Sequence, residues 1–166
     1  YAPSLGIHAR LSNTLKLDAE GTWALGAPDL SSNPLGTGLA ELAYSRLEIE
    51  SIARTAPSPT REFLGAAASE RLLKEQRQRI SHLHISTHGL LDVTAFGGGA
   101  LLLTPDDVED GVLWTTDLVD LGVRADHVVL SACSTARGRD ARGDGIVGPV
   151  RGFLAGGAQS VLGSLW

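Results

Sequence analysis

The chain has one cysteine, Cys133, so an internal disulfide is excluded. A lone thiol suits a reducing compartment, and a cytoplasmic location is expected. No apolar run approaches the roughly 18 residues needed to span a bilayer, which argues against a membrane helix. The opening segment, YAPSLGIHAR, lacks a basic stretch followed by an apolar block, so no signal peptide is expected. Basic residues are in deficit, 14 Lys and Arg against 19 Asp and Glu, giving a formal net charge of -5. That balance argues against non-specific nucleic-acid binding. Internal repeats and low-complexity tracts are missing.

What is present fits one α/β domain over residues 1–166. TWALGA at 22–27 reads as a buried strand closed by Pro28 and Asp29, and residues 29–38 as a loop. Leu39, Leu42, Ile49 and Ile52 recur near helical period, predicting a helix over 39–54 that the segment TAPSPT ends. A second helix is expected from Ser69, whose hydroxyl can cap it, through the charged stretch 70–79. Glu70 follows in the first turn, where the helix dipole favours negative charge. SHLHIST at 81–87 is a strand. Residues 100–115 read as a hairpin with its turn at 105–111, and 116–121 as a short helix capped by Thr115 or Thr116. Residues 126–132 form another strand, 134–145 a loop, 146–156 a helix with Pro149 near its first turn, and 160–166 a last strand. Unbroken apolar strands alternating with helices predict a mostly parallel sheet covered on both faces.

Parallel sheets form sites at the carboxyl ends of their strands. HISTHGLL (84–91) puts His88 and Gly89 at one such end, and VVLSACSTARG (128–138) puts Cys133 at another. A thiolate beside a histidine is a nucleophile, and the histidine can protonate a leaving amine. Gly89 lets the backbone approach a developing oxyanion closely. Those parts amount to acyl transfer through a thioester. The competing reading is a core histidine and a core thiol, since free cysteine is among the most buried residue types.

Other candidates point elsewhere. His82, His84 and His88 share one face by parity, but no cysteine or carboxylate at ligand spacing accompanies them, and His82 and His84 read as structural. GGG at 97–99 lacks a following Lys-Ser/Thr and reads as a connector. Asp106, Asp107, Glu109 and Asp110 read as a solvated turn rather than a calcium loop. APDLSSNP after the first strand is not glycine-rich, which argues against a flavodoxin-like nucleotide binder.

In order along the chain, YAPSL, ALGAPD, LEIESIA, HLHISTHGLL, ALLLTPDDVEDGVLWTTDLVDL and the cysteine block through GSLW resemble the CHAT domain. That family belongs to the caspase–separase clan of cysteine peptidases. The resemblance implies a caspase-like three-layer α/β sandwich, a His88–Cys133 dyad, and Gly89 and Cys133 amides as an oxyanion hole. It implies no metal or organic cofactor. It also implies a protein substrate and a neighbouring helical-repeat region, such as tetratricopeptide repeats, or a regulatory partner. The family continues past the tryptophan at 166, so the chain reads as truncated on its C-terminal side.

Several clan members select a basic side chain with an acidic pocket. Asp29, at the end of the first strand, is the first candidate for that role, against a reading as a turn residue; Asp144, in the loop after Cys133, is the second. The same loop carries Arg137, Arg139 and Arg142 and is expected to be flexible, as a self-processing site or a wall ordered by substrate. The alternative to a peptidase is a catalytically silent interaction module that keeps the fold.

Overall fold

Five of the apolar runs pair side by side in a computed structural model that describes residues 19–56, 58–76, 78–90, 99–132, 139–140 and 146–164. They are β1 (Glu20–Gly26), β2 (Thr60–Leu64), β3 (Ile80–Ser86), β7 (Ala125–Ser131) and β10 (Ser160–Gly163). The order is β10-β7-β3-β1-β2, and every neighbouring pair is parallel. A second sheet is antiparallel: β4 (Gly89–Leu90), β5 (Ala100–Leu102) and β6 (Val112–Trp114). It holds the expected hairpin. Residues Arg139–Asp140 (β8) pair with Ile146–Val147 (β9).

Among the described residues the four α-helices are α1 (Ser45–Thr55), α2 (Glu70–Glu75), α3 (Thr115–Leu121) and α4 (Pro149–Gly156). Strand parity divides them between two layers. Trp23, Leu25, Leu83, Ile85, Val128 and Leu130 face one way and join Leu73, Leu118 and Phe153 in the main core. Each fully buried large apolar side chain contributes about 1.5–3 kcal/mol. The opposite face carries Gly26, His84 and Ser86 and is covered by α1. A Cβ on Gly26 would stand 2.5 Å from Ile49 Cγ1, so glycine there lets α1 lie close against the sheet. The result is the three-layer α/β arrangement that the alternation predicts.

Several boundaries differ from expectation. α1 begins at Ser45, not Leu39; residues 39–44 remain outside the helix, and 39–42 line a cavity instead. β2 was not foreseen. It is an edge strand whose Arg61 and Glu62 are exposed, so it lacks the apolar run of a buried strand. Ser69 caps α2 as expected, accepting from Leu72 N at 3.2 Å, but the helix stops at Glu75. At α3 the cap comes from Asp117, whose Oδ2 accepts from Trp114 N at 3.0 Å, while Thr115 Oγ1 donates to Gly99 O. Ile146 and Val147 belong to β9 rather than α4, because Pro149 occupies the first turn and starts the helix there. The expected loop 134–145 holds β8; its other residues, including Arg137, Arg142 and Asp144, lie outside the described residues.

Candidate active site

The site grows from the carboxyl ends of β1, β3 and β7. β1 ends at Gly26, and Ala27 adopts φ 45°, the left-handed region. That conformation costs an alanine about 1–2 kcal/mol. Bonds on both sides hold it: Ala27 N donates to Ser45 Oγ at 2.7 Å, and Ala27 O accepts from Gly65 N at 3.1 Å. The turn sends residues 28–42 out over the sheet edge. There they wall a cavity of about 510 Å³, and Asp29, Leu39, Ala40, Glu41 and His88 all line it.

His88 follows β3 and is half-buried. Its Nε2 lies 2.8 Å from Ala40 O. A carbonyl oxygen only accepts, so Nε2 carries the hydrogen, and the neutral ring keeps its lone pair on Nδ1. The backbone is fixed too, since His88 O accepts from Leu102 N at 3.0 Å. Bonded and non-bonded pairs alternate along an antiparallel ladder. His88 and Leu102 form a bonded pair, so the next pair, Gly89 and Leu101, is non-bonded. The Gly89 N–H therefore points away from β5.

Cys133 lies outside the described residues, as does Asp144. Ser86 pairs in register with Ser131, and Thr87 N donates to Ser131 O at 3.2 Å. Ala132 is buried, and its carbonyl accepts from Ser164 Oγ. His88 stands two residues past Ser86, and Cys133 stands two past Ser131. Asp29 is exposed in the cavity wall. Its Oδ1 accepts from Ser31 N at 3.0 Å, which holds its carboxyl below the usual range, and its own N donates to Thr104 Oγ1 at 2.9 Å. Asp29 is thus both a turn residue and a charged cavity-lining group.

Sequence reasoning missed a polar group beneath this edge. Glu48, in the first turn of α1, accepts from Ser86 Oγ at 2.7 Å and Ser131 Oγ at 3.1 Å through one oxygen, Oε2. Its other oxygen, Oε1, lies 2.9 Å from His84 Nε2. Burial pulls the His84 pKa below its ordinary value, outweighing the pull of Glu48 in the other direction, so the ring is neutral at pH 7. Ser45 Oγ donates to Ser86 O at 2.9 Å. A signal was available in the matching triplets Ser86-Thr87-His88 and Ser131-Ala132-Cys133, each with a serine two residues before its candidate residue. Ala40 acts through its backbone, for which no residue type is a signal.

The remaining candidates take structural places. The His82 and His127 rings lie 5.2 Å apart on the exposed part of the sheet face. Asp106 Oδ1 accepts from Val108 N and Glu109 N within its own turn. Trp114 packs with Leu30 and Leu90 against the small cluster at the hairpin. Gly97 and Gly98 lie outside the described residues.

The family model described as CHAT domain matches residues 1–166. The chain belongs to the CHAT domain family. This is a caspase-like family related to the cysteine peptidases, and the five-stranded sheet with its helices is the fold expected of a CHAT domain. The chain is also similar to Tetratricopeptide repeat protein 28 of Mus musculus, 47% identical over 55 residues. That stretch is 33% of this chain and 2% of the mouse protein. No helix among the described residues of this CHAT domain is long and apolar enough to cross a membrane.

Proposed function

We propose that this CHAT domain is a cysteine endopeptidase acting on a protein substrate through His88 and Cys133. Nδ1 of His88 takes the Cys133 proton, and Sγ attacks the scissile carbonyl carbon. The oxyanion accepts hydrogen bonds from the Gly89 and Cys133 amides. The intermediate collapses with cleavage of the C–N bond. His88 delivers its proton to the leaving amine, which leaves a thioester. Water, deprotonated by His88, then hydrolyses the thioester and restores the thiol.

The observation that carries this reading is the setting of His88: in the wall of a cavity, at the edge to which β7 also runs, with Nε2 held by Ala40 O and Nδ1 left as the base. Asp29, charged and in the same wall, is the group we assign to a basic substrate side chain, with Asp144 the second candidate. Similarity to a protein named for tetratricopeptide repeats supports a helical-repeat or regulatory partner that presents the substrate. A cytoplasmic setting suits the free thiol.

The test uses purified full-length protein and a peptide acyloxymethyl ketone with arginine next to the warhead. Mass spectrometry is expected to find one adduct, on Cys133, absent from Cys133→Ala and strongly slowed in His88→Ala. Asp29→Asn should weaken the preference for arginine over leucine. Labelling that proceeds at the same rate without His88 would leave a catalytically silent interaction module as the better reading.

A further inference from the structure

We infer that Glu48 is a positioning residue for the dyad, acting as a clamp on the carboxyl ends of β3 and β7; this rests on the peptidase reading above. In the sequence His88 and Cys133 each follow by two residues the last registered pair of β3 and β7, Ser86 and Ser131. Small displacements there matter, since an error of about 1 Å in a reacting pair can cost about 100-fold in rate. Backbone pairing alone is weakest where a ladder ends. Glu48 supplies what the ladder lacks at this point. One carboxylate oxygen, Oε2, receives both serine hydroxyls, at 2.7 Å from Ser86 and 3.1 Å from Ser131, and so ties one strand to the other.

The clamp is itself anchored. Oε1 meets His84 Nε2 at 2.9 Å, one turn of the pleat below Ser86 on the same face of β3. Ser45, three residues before Glu48 on α1, donates to Ser86 O and accepts from Ala27 N. The first turn of α1 therefore gathers the ends of β1, β3 and β7 together. Its dipole favours a negative charge at that position.

An ordinary ion pair does not account for Glu48. Among the described residues its ion-pairing partner is His84, which burial keeps neutral, and no Lys or Arg bridges to it. Its side chain is 33% exposed, so it is not a charge forced into the core either. What its contacts share is their place: they are the registered residues leading to His88 and Cys133.

The experiment measures kinact and KI separately for the same arginyl acyloxymethyl ketone on full-length protein. Glu48→Ala is expected to lower kinact about 10- to 100-fold while KI stays within about threefold. Glu48→Gln should restore kinact to within about threefold, because its amide oxygen can still accept both serine hydroxyls and its NH₂ can donate to the other tautomer of His84. Should Glu48→Ala fail to fold, Ser131→Ala removes only the tether to β7 and is expected to lower kinact about three- to tenfold. Parental kinact in Glu48→Ala or Ser131→Ala, or no restoration by Gln, overturns the clamp while leaving the dyad reading intact. Absence of any Cys133 adduct in the parent protein overturns the dyad reading and the clamp with it.

Discussion

Glu48 and Glu70 occupy the same local position, the first turn of a helix, and do different work. Glu70 is buried, with 2% of its side chain exposed, and its partners are Lys74 at 2.7 Å and Gly111 N at 2.9 Å. It ties α2 to the hairpin. Glu48 is one-third exposed and is held by two hydroxyls and a neutral imidazole. A buried carboxylate beside a cation is committed to one arrangement, since losing either partner strands a charge. Neutral donors can be exchanged for other neutral donors with little loss. The comparison teaches that the hairpin is fixed by electrostatics, whereas the sheet edge is aligned by hydrogen-bond geometry.

Ionisation separates the two regions as well. Burial raises the Glu70 carboxyl more than Lys74 lowers it. Lys74 is pulled down by burial but ends above its ordinary value through Glu109 and Glu70. The partners gain unequally because burial outweighs Lys74 at Glu70, whereas two carboxylates, Glu109 and Glu70, together outweigh burial at Lys74.

The largest effect expected is on stability at the hairpin. Glu70→Ala should destabilise the fold by about 3 kcal/mol in urea titration, while Cys133 labelling of the folded fraction stays at the parental rate. Slowed labelling would break the division of labour. Glu48→Ala should show the reverse: about 1–2 kcal/mol in the same titration, with the loss concentrated in kinact. A smaller effect is expected from pH. The folded pKa of His84 lies below its ordinary 6.5, so its neutral form is favoured by folding. That contribution is complete above pH 6.5 and is lost as pH falls through the folded value. Thermal midpoints should decline on acidification through that window, and His84→Gln should flatten the decline. Glu70 acts in the opposite sense at lower pH, because its raised carboxyl makes protonation favour the folded state. The smallest change is at the turn. Ala27→Gly should stabilise by about 0.5–1 kcal/mol, the relief of φ 45° less the added freedom of the unfolded chain.

Much of the sheet was legible because its central strands carry apolar residues at alternate positions facing the main core, Leu83 and Ile85 in β3 and Val128 and Leu130 in β7. Asp29 and His88 were legible together because parallel strands send their ends to one edge, and both line the same cavity. β2 was not, since an edge strand with exposed Arg61 and Glu62 carries no comparable pattern. The start of α1 was misread because Leu39 and Leu42 keep helical spacing yet line the cavity. Glu48 and His84 are 36 residues apart, and their meeting depends on helix placement and strand register, which no local pattern encodes.

The strand order β10-β7-β3-β1-β2 also has a consequence for the growing chain. The first three strands of the large sheet in the chain, β1, β2 and β3, are contiguous in space, and β7 and then β10 add on one side. Synthesis delivers β1, β2 and β3 before β7 and β10. The wall with Asp29 and the histidine strand can therefore form while the thiol is still unmade. Docking of β7 is the step that joins the two halves, because it brings the strand that precedes Cys133 against the one that precedes His88.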